Sequence, residues 1–505
     1  MRKIKEDSQS WDLYASLIII WALVFQLIRW PIFPMFIDIY YHLNVMLGFS
    51  KAGGYVTHAF WEFAPVGRAH VYPPLLHFLM LIFYKLGFSK LFIARFFSAF
   101  IYPILLFSVW YFVRKILTKR IAFFVLLMLS SSYYFYLETC NVLAFSLGLC
   151  FGIWALFFMH KKRFLSTFLF LLLSLYSHAI SGWLIVFTVI CFSLLDKRFR
   201  FGIKSAVFCI IGYLPFIIHQ VINRNYFHFV NVKAMHYLEF NILVYLFAVF
   251  GYIVYMSRIK QYNKIYLAVL LGFIPLTFIY PQRFLSGQGL IAIVLIAAFG
   301  LDKCFRLLKE RGWIVLIIFS LFYFVLPGVN VRKDSVSFKG INSLFVSMLP
   351  EIKSSVQHNA RPIYSAKFID PIIEIVKENS DDSDIIYSNF SYIAGLFSTF
   401  SERATSSGML QEVRPLKDFD QIKHAKLIIW LKELEAGFPQ ELKKVIKKYS
   451  LEKIAETELV YIYNNPEAKS QVVVNKSVMP NLLVFGVLVL IVGLLVMDNI
   501  FIKNN

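Results

Sequence analysis

Four ionisable side chains stand where apolar segments of this chain end. Asp38 follows the first apolar segment, Glu138 the third, His178 the fifth and Arg283 the ninth. Charged groups are disfavoured near a bilayer unless they face a cavity, a partner or a substrate, so each is a candidate for a functional site. Two carboxylates could activate an acceptor or hold a divalent cation, and a guanidinium could bind a phosphate.

Each of these residues also has a simpler interpretation. Asp38 or Glu138 could cap the helix that follows, because an acidic group near a helix N-terminus is favourable by a few tenths to about 1 kcal/mol. His178 could be a hydrogen-bonded turn residue, and Arg283 could anchor the chain at the membrane interface. The four residues together are stronger evidence for a site than any one of them. Residues with unrelated roles need not place a base, an acid and a phosphate-binding cation on the same side of the membrane.

The composition indicates a polytopic α-helical membrane protein. Of the 505 residues, 59% are hydrophobic and 16% are charged, which is too apolar for one soluble core. Apolar stretches of about the length of a membrane span recur along the chain. We count about twelve of them, at residues 12–29, 92–113, 121–136, 141–159, 164–177, 182–195, 205–221, 240–256, 265–279, 289–301, 313–329 and 479–500.

The basic residues predict the orientation of these spans. The formal net charge is +21, and the Lys and Arg residues lie mainly in short loops on alternate sides of the spans. Loops that stay inside the cell carry the excess of basic residues, so we expect a cytoplasmic N-terminus in the cell membrane. Residues 38, 138, 178 and 283 then share the extracytoplasmic face. This placement of the charge also argues against nucleic acid as a partner.

Residues 74–87 test the count of spans. They are apolar enough for a further span, but counting them as one would reverse the side of every later basic loop. We therefore expect an interfacial helix on the outer face, inside a structured first external loop at residues 30–91.

The composition changes at residues 331–476, where charged and small polar residues increase. Strands are expected at 384–389, 427–431 and 459–463, and helices at 370–379 and 440–449. We expect a transmembrane domain at 1–330, a small extracytoplasmic α/β domain at 331–476 and a C-terminal transmembrane helix in 477–505. The α/β domain has no nucleotide-binding glycine loop, Cys/His cluster or nucleophile elbow, and the five cysteines show no pairing or metal spacing.

Several motifs resemble the GT-C superfamily, which comprises multispan glycosyltransferases that use lipid-linked sugars. They are Asp38-Ile39-Tyr40-Tyr41-His42, Phe63-Ala64-Pro65-Val66-Gly67-Arg68-Ala69-His70-Val71-Tyr72-Pro73-Pro74-Leu75, Glu138 before the fourth span, and Gln282-Arg283-Phe284 before an Ala/Ile-rich span. The likeness covers most of residues 12–330. It is closest to the catalytic subunit of oligosaccharyltransferase and its archaeal and bacterial relatives.

This resemblance implies roles for three residues. Asp38 matches the catalytic Asp of the family's first loop, Glu138 lies at the second acidic motif, and Arg283 matches an Arg that contacts the lipid-linked phosphate. The second motif usually has two acidic residues spaced by one, whereas Glu138 has only Asn141 nearby. A divalent cation, Mg²⁺ or Mn²⁺, held by Asp38 and Glu138 is therefore an open expectation. The family's Trp-Trp-Asp-Tyr-Gly acceptor motif is missing, which argues against transfer to asparagine sequons.

The expected function is transfer of a sugar or glycan from a polyprenyl-phosphate-type donor to a glycan, lipid or protein acceptor. Asp38 would activate the acceptor, Glu138 would assist it, and Arg283 would bind the donor phosphate. Membrane lipids are further expected partners. The alternative is a transporter or flippase for a lipid-linked or anionic substrate, although matching halves with Gly/Pro-broken spans are not evident. Other residues expected to line the substrate cavity are His42, Glu62, Arg68, His70, Tyr72, His178 and Gln282.

Overall fold

A computed structural model describes residues 9–34, 37–228, 238–240, 242–325, 327–332, 335–341, 366–409, 412–432 and 439–501. Within these ranges, helix occurs in each of the twelve apolar stretches identified from the sequence. The helices before residue 330 are α1 (Gln9–Ile28), α2 (Asp38–Ala52), α3 (Leu75–Lys85), α4 (Lys90–Ile116), α5 (Lys119–Ser131), α6 (Tyr133–Asn141), α7 (Leu143–His160), α8 (Phe164–Ser177), α9 (Ala179–Leu195), α10 (Phe201–Ile222), α11 (Ile242–Ser257), α12 (Ile265–Phe273), α13 (Pro275–Ile279), α14 (Pro281–Leu285), α15 (Leu290–Leu307) and α16 (Gly312–Val325).

Most of these helices are apolar around their whole circumference, which suits a helix that packs on protein on one side and on lipid on the other. Shorter apolar helices such as α8, α9 and α11 pack among the longer ones. The fold is therefore that of a helical membrane protein. Six helical segments of the described chain are long and apolar enough to cross a bilayer, and the fifth contains both α14 and α15. They cover Ser10–Ile28, Lys90–Ile116, Leu143–His160, Phe201–Ile222, Pro281–Leu307 and Asn481–Asp498.

Two predicted spans are each divided into two helices. Ser132 separates α5 from α6 with an extended backbone, and its hydroxyl accepts a hydrogen bond from the Phe135 backbone N–H. Pro275 begins α13 directly after α12, because proline is tolerated at the first position of a helix but not in its interior. The first division places Glu138 on a separate short helix, and the second leads the chain towards Arg283.

The span predicted at 313–329 is wrong at its C-terminal end. Helix α16 ends at Val325, and Pro327–Arg332 forms strand β5 instead. Pro327 has no backbone N–H, so it cannot donate the hydrogen bond that would continue a helix. Strand β5 pairs with β4 (Leu238–Phe240) and with β6 (Ser335–Ile341).

The first loop, residues 30–91, is structured as expected. Helix α2 ends at Gly53, whose φ of 73° is readily available to glycine. Helix α3 has only 11 residues, too few to cross a bilayer, and it packs against α2. The short strands β2 (His58–Ala59) and β3 (Arg68–Ala69) pair antiparallel between these helices, and β1 (Gly54–Tyr55) directly follows α2.

A small sheet-containing domain follows, which we call the sheet domain (residues 366–464). Its five-stranded sheet has the order β10-β11-β9-β7-β8, in which β7 is parallel to β8 and β9 while β11 is antiparallel to β9 and β10. Its elements are α17 (Ala366–Glu378), β7 (Ile385–Ser388), α18 (Ser391–Ser401), β8 (Ala404–Thr405), α19 (Gln421–His424), β9 (Leu427–Leu431), α20 (Pro439–Tyr449), β10 (Glu452–Glu456) and β11 (Val460–Asn464). The chain then forms β12 (Met479–Pro480) and α21 (Asn481–Phe501).

The sheet domain packs directly on the first loop. The Asn44 side chain of α2 donates a hydrogen bond of 2.9 Å to the Ser398 hydroxyl of α18. The Thr399 hydroxyl donates to the Tyr40 backbone carbonyl at 3.1 Å. These contacts fix the sheet domain over the N-terminal half of α2, the helix that begins at Asp38.

Candidate active site

Asp38 is the first residue of α2 and is half-buried. The segment before it is held by Arg95 of α4, whose guanidinium donates hydrogen bonds to the carbonyls of Phe33 and Pro31 at 3.1 and 3.2 Å. Ile37 stands at the N-cap position of α2, which has no side-chain capping bond. Asp38 is therefore not the N-cap residue, but its carboxylate lies in the first turn of α2, where the helix N-terminus favours a negative charge.

Glu138 and Arg283 face each other across two short helices. Glu138 lies on α6 and Arg283 on α14, and Glu138 Oε2 is 3.5 Å from Arg283 Nε. A Cβ added to Gly287 would lie 3.0 Å from Arg283 Cα and 3.1 Å from Glu138 Cγ, so only glycine fits comfortably between them. The Gln288 side chain donates a hydrogen bond of 2.7 Å to the Glu138 carbonyl. Glu138 lies inside α6 rather than at the N-cap of α7, so this pairing replaces the capping interpretation.

Aromatic rings hold the Arg283 guanidinium in place. Its Cζ atom lies 4.6 Å from the centre of the Tyr280 ring and 5.7 Å from that of Phe145. Such contacts stabilise a cation that is partly removed from water. The Arg283 side chain remains 19% exposed, so it is accessible to a ligand.

The electrostatic effects on Asp38 show which charged groups surround it. Burial raises the pKa of Asp38 to about 7, Arg283 opposes that rise, and Glu412 and Glu138 add to it. Burial also raises the pKa of Glu138, against the influence of Arg283. Asp38, Glu138 and Arg283 therefore act on one another within one region. A carboxyl group with a pKa near 7 is suited to accept a proton at neutral pH.

His178 both caps a helix and adjoins this region. Its Nδ1 accepts a hydrogen bond of 3.3 Å from the Ser181 backbone N–H at the start of α9, which confirms the turn interpretation. Burial and, secondarily, Arg283 lower the pKa of His178 to about 3, so the ring is neutral. Because Nδ1 accepts, Nε2 carries the proton. The ring centre lies 5.0 Å from that of Phe145 and 5.9 Å from that of Tyr72.

Tyr72 and His42 continue this row of rings into the first loop. The ring centres of Tyr72 and His42 are 5.5 Å apart, and His42 Nδ1 shares a hydrogen bond of 2.9 Å with His77 Nε2. Burial lowers the pKa of His42 to about 3 and keeps that of Tyr72 well above its usual range. Asp38 and Arg283 both influence Tyr72, so Tyr72 lies beside the charged group. Gln282 precedes Arg283 on α14 and is half-buried.

Glu62, Arg68 and His70 do not line this region, in contrast to the expectation from the sequence. All three are fully buried inside the first loop. Arg68 donates to Glu62 at 2.5 Å and to the Tyr41 hydroxyl at 3.3 Å. The ring of His70 packs against aromatic rings, including that of Phe49. These residues stabilise the loop that presents Asp38, because buried charges must be paired.

Glu412 is a charged group near Asp38 that sequence reasoning missed. The chain at 412–414 pairs with the segment after α10, where the His228 N–H donates to the Glu412 carbonyl at 2.9 Å and Val413 forms an antiparallel bridge with Phe227. Glu412 raises the pKa of Asp38. No local motif surrounds Glu412, so its position follows from the pairing of residues 412–414 with the segment after α10.

The residues were also tested against the expected Mg²⁺ or Mn²⁺. No group of three or more His, Cys, Asp or Glu side chains that could hold a metal ion occurs among the described residues. Arg283 already supplies a positive charge beside Glu138, at the place where a cation would be expected. Asp38 and Glu138 alone do not make up a group of this size, and their binding of a cation stays a prediction.

Comparison with known proteins supports the fold. No family model and no curated protein matches this sequence. The structure is similar to the archaeal oligosaccharyltransferase AglB of Archaeoglobus fulgidus solved with an inhibitory peptide and dolichol-phosphate, at 11% identity and a TM-score of 0.56, over 91% of this chain and 75% of AglB. A second structure of the A. fulgidus enzyme, solved with Zn and sulfate, aligns at 11% identity and a TM-score of 0.54 over 89% of this chain and 73% of that one.

The bacterial protein ArnT of Cupriavidus metallidurans, solved with undecaprenyl phosphate, is also similar, at 12% identity and a TM-score of 0.54. The alignment covers 90% of this chain and 99% of ArnT. The resemblance inferred from the motifs around Asp38, Glu138 and Arg283 is thus confirmed for the fold. This chain therefore shares the fold of AglB and ArnT.

Proposed function

We propose that this protein is a membrane glycosyltransferase that moves a sugar or glycan from a polyprenyl-phosphate-type donor to an acceptor. The observation that carries the proposal is the shared region in which Asp38, with a pKa of about 7, lies within the electrostatic influence of the Glu138–Arg283 pair. The fold shared with AglB and ArnT supports it, because those proteins were solved with dolichol-phosphate and undecaprenyl phosphate.

The proposed reaction assigns Arg283 to the donor. The bond between the sugar C1 and the phosphate oxygen breaks, and the polyprenyl phosphate leaves with the bonding electron pair. The Arg283 guanidinium, held over Tyr280 and Phe145, offsets this developing negative charge. Glu138 positions Arg283, since its carboxylate lies 3.5 Å from Nε and leaves the rest of the guanidinium for the phosphate.

Asp38 acts on the acceptor in this proposal. Its carboxylate takes the proton of the acceptor hydroxyl or amine as that atom forms the new bond to the sugar C1. The resemblance to the GT-C superfamily implies an inverting displacement. A neutral His178 lies beside Tyr72, where its Nε2–H could orient the sugar. No group of three or more metal-ligating side chains occurs among the described residues, so each step above is assigned to side chains of this chain.

We also propose that the site and the sheet domain lie on the extracytoplasmic face. The basic residues that support this orientation include Arg114, Lys119 and Arg163, at the ends of helices α4, α5 and α8 opposite to those near the site. Labelling of single cysteines introduced at residues 162 and 381 with a membrane-impermeant maleimide tests it. We expect the cysteine at 381 and not the one at 162 to be labelled in intact cells. The opposite pattern would show that the orientation is the reverse of the one proposed.

The activity is tested with purified protein and radiolabelled polyprenyl-phosphate sugars in a membrane lipid and protein extract that supplies acceptors. We expect wild type to transfer the label and Asp38→Asn to lose at least 100-fold in rate. Asp381→Asn is the matched control, because Asp381 is exposed in the sheet domain. Equal transfer by Asp38→Asn and Asp381→Asn would remove Asp38 from the chemistry.

A further inference from the structure

An apolar cavity of about 420 Å³ lies between α3, α8, α10 and the C-terminal helix α21. Its volume is in the range of small-molecule and cofactor sites. Carbon atoms of aliphatic and aromatic side chains form most of its wall. The lining residues include Leu75, Phe78, Leu172, Phe216, Val487 and Ile491.

Helix α21 is attached to the rest of the protein at both of its ends. Before the helix begins, β12 pairs with β1, and the Asn481 N–H donates to the Gly53 carbonyl at 2.9 Å. Near its other end, the Asp498 carboxylate accepts a hydrogen bond from the Ser166 hydroxyl. Between these attachments, the cavity separates α21 from α8 and α10. Because α21 is held by hydrogen bonds at both ends, the cavity does not arise from a poorly packed helix.

The apolar lining of the cavity favours a hydrocarbon chain as its ligand. Water is not stable in a space that offers it few polar partners. Three of its four polar lining side chains are hydrogen-bonded within the protein, the fourth being Thr57. The Tyr176 hydroxyl donates to the Gly212 carbonyl at 3.1 Å, His219 Nε2 bonds to the His70 carbonyl at 2.9 Å, and the Tyr55 hydroxyl donates to the same carbonyl at 3.5 Å. These three side chains do not require a polar ligand. A lipid tail is the apolar molecule that a membrane supplies at this depth.

The cavity adjoins the candidate active site through two segments of the chain. Pro74 lines the cavity, and two residues earlier Tyr72 lies beside the site. Tyr176 likewise lines the cavity, and two residues later His178 contacts Tyr72. A lipid whose tail lies in the cavity therefore has its head group close to this site.

The cavity and Arg283 adjoin the same row of rings at different residues. Arg283 contacts Phe145, which contacts His178, whereas the cavity adjoins the row at His178 and Tyr72. A donor whose phosphate is bound by Arg283 would enter from the other end of this row. The two ends of the row therefore suit two different lipids.

From these observations we infer that the cavity binds the hydrocarbon tail of a lipid acceptor, whose hydroxyl or amine head group is brought to Asp38. The inference rests on the proposed function, which it makes more specific by assigning the acceptor to the lipids. It predicts that filling the cavity blocks the acceptor and leaves the donor site intact.

The test fills the cavity from α21. Val487 lines the cavity, whereas Val489 on the same helix does not and is 71% exposed. Val487→Trp is therefore compared with the matched Val489→Trp, and Val487→Ala serves as a variant that leaves the cavity open. Each protein is placed in phosphatidylcholine vesicles that contain a phosphatidylethanolamine with a diazirine at the end of one acyl chain. After illumination, labelled peptides of α8, α10 and α21 are measured by mass spectrometry.

We expect labelling inside the cavity to fall at least fivefold in Val487→Trp and to stay at the wild-type level in Val489→Trp and Val487→Ala. Equal labelling in the two Trp variants would identify ordinary surrounding lipid and overturn the inference. Displacement of the probe by unlabelled polyprenyl phosphate would assign the cavity to the donor and also overturn it.

A kinetic measurement separates this inference from the proposed function. With a membrane lipid extract as acceptor, Val487→Trp is expected to lower transfer at least tenfold with an unchanged KM for the donor. A raised donor KM in this variant would contradict the acceptor assignment. If the probe labels the cavity but the wild type transfers no sugar, the cavity is still a lipid site. In that case the acceptor role of the lipid and the proposed enzyme function are both wrong. Transfer to protein alone would retain the enzyme and overturn the lipid acceptor.

Discussion

The backbone N–H of Met409 in the sheet domain donates a hydrogen bond of 2.9 Å to the Glu62 carboxylate in the first loop. The other oxygen of Glu62 pairs with Arg68, and both side chains are fully buried. One carboxylate therefore neutralises a buried guanidinium and joins two distant parts of the chain next to the candidate site.

We expect Glu62→Gln to destabilise the protein, because it leaves the Arg68 charge buried without its counter-charge. Removing one partner of a buried pair typically costs about 3–5 kcal/mol. Thermal unfolding in detergent measures the effect, with Glu378→Gln as a control at an exposed position. Equal melting temperatures for the two variants would show that the pair contributes little to stability.

The raised pKa of Asp38 predicts how activity depends on pH. Asp38 acts as a base only when ionised, and its pKa in the folded protein is about 7. We therefore expect kcat/KM to rise about tenfold per pH unit below pH 7 and to level off above it. A profile that is flat between pH 5 and 8 would contradict the role of Asp38 as the base.

Asp38 is also expected to lower stability at neutral pH. Its pKa is about 7 in the folded chain against 3.8 for a free side chain, so ionisation opposes folding. The stability of the wild type should fall as pH rises towards 7 and then level off. Asp38→Asn removes this titration, so its advantage in melting temperature should grow between pH 5 and 7 and remain constant above. A constant difference between the proteins across this range would show that burial does not perturb Asp38.

Arg283→Gln should change both donor binding and the pH profile. Loss of hydrogen bonds to a charged group costs about 1.5–3 kcal/mol, which corresponds to roughly 10- to 150-fold weaker binding of the donor phosphate. Arg283 also lowers the pKa of Asp38, so the midpoint of the activity profile should move above 7. Arg283→Lys keeps the charge and should retain the original midpoint. Unchanged donor affinity in Arg283→Gln would place the phosphate elsewhere.

The few metal-ligating side chains around Asp38 predict that the protein binds metal ions only weakly in the absence of the sugar donor. The described residues bring together too few ligating side chains for a protein cage, and Mg²⁺ sites commonly need substrate phosphates and water to complete them. We expect Mn²⁺ titration, followed by electron paramagnetic resonance, to show no binding below about 1 mM without donor. Tight binding of Mn²⁺ that is lost in Asp38→Asn would restore the cation expected from the sequence.

The helices were predictable because long apolar runs have few alternatives in a membrane, and α3 was predictable because its apolar stretch is too short to cross a bilayer comfortably. The regions near Asp38 and Arg283 were identified for the same reason, since charged residues at span ends are uncommon. The motif around Arg68 indicated a functional loop but not that the side chain is buried within it. A local sequence does not reveal which polar side chains will find partners inside a folded loop.

Contacts between distant segments were not predictable. Glu412 acts on Asp38 only because residues 412–414 pair with the end of α10. The end of α16 was placed too late, because its apolar composition continued past Pro327 while the backbone changed to a strand. Both differences arise where tertiary pairing overrides the local pattern.

The pairing of β1 with β12 has a consequence for the order of folding. Gly54 and Tyr55 are synthesised long before their strand partners Pro480 and Met479. The edge of the first loop must therefore wait, unpaired, until the whole sheet domain has also been synthesised. Completion of this edge is thus a late event in biogenesis, and a product truncated before β12 would expose a strand on which other chains could aggregate.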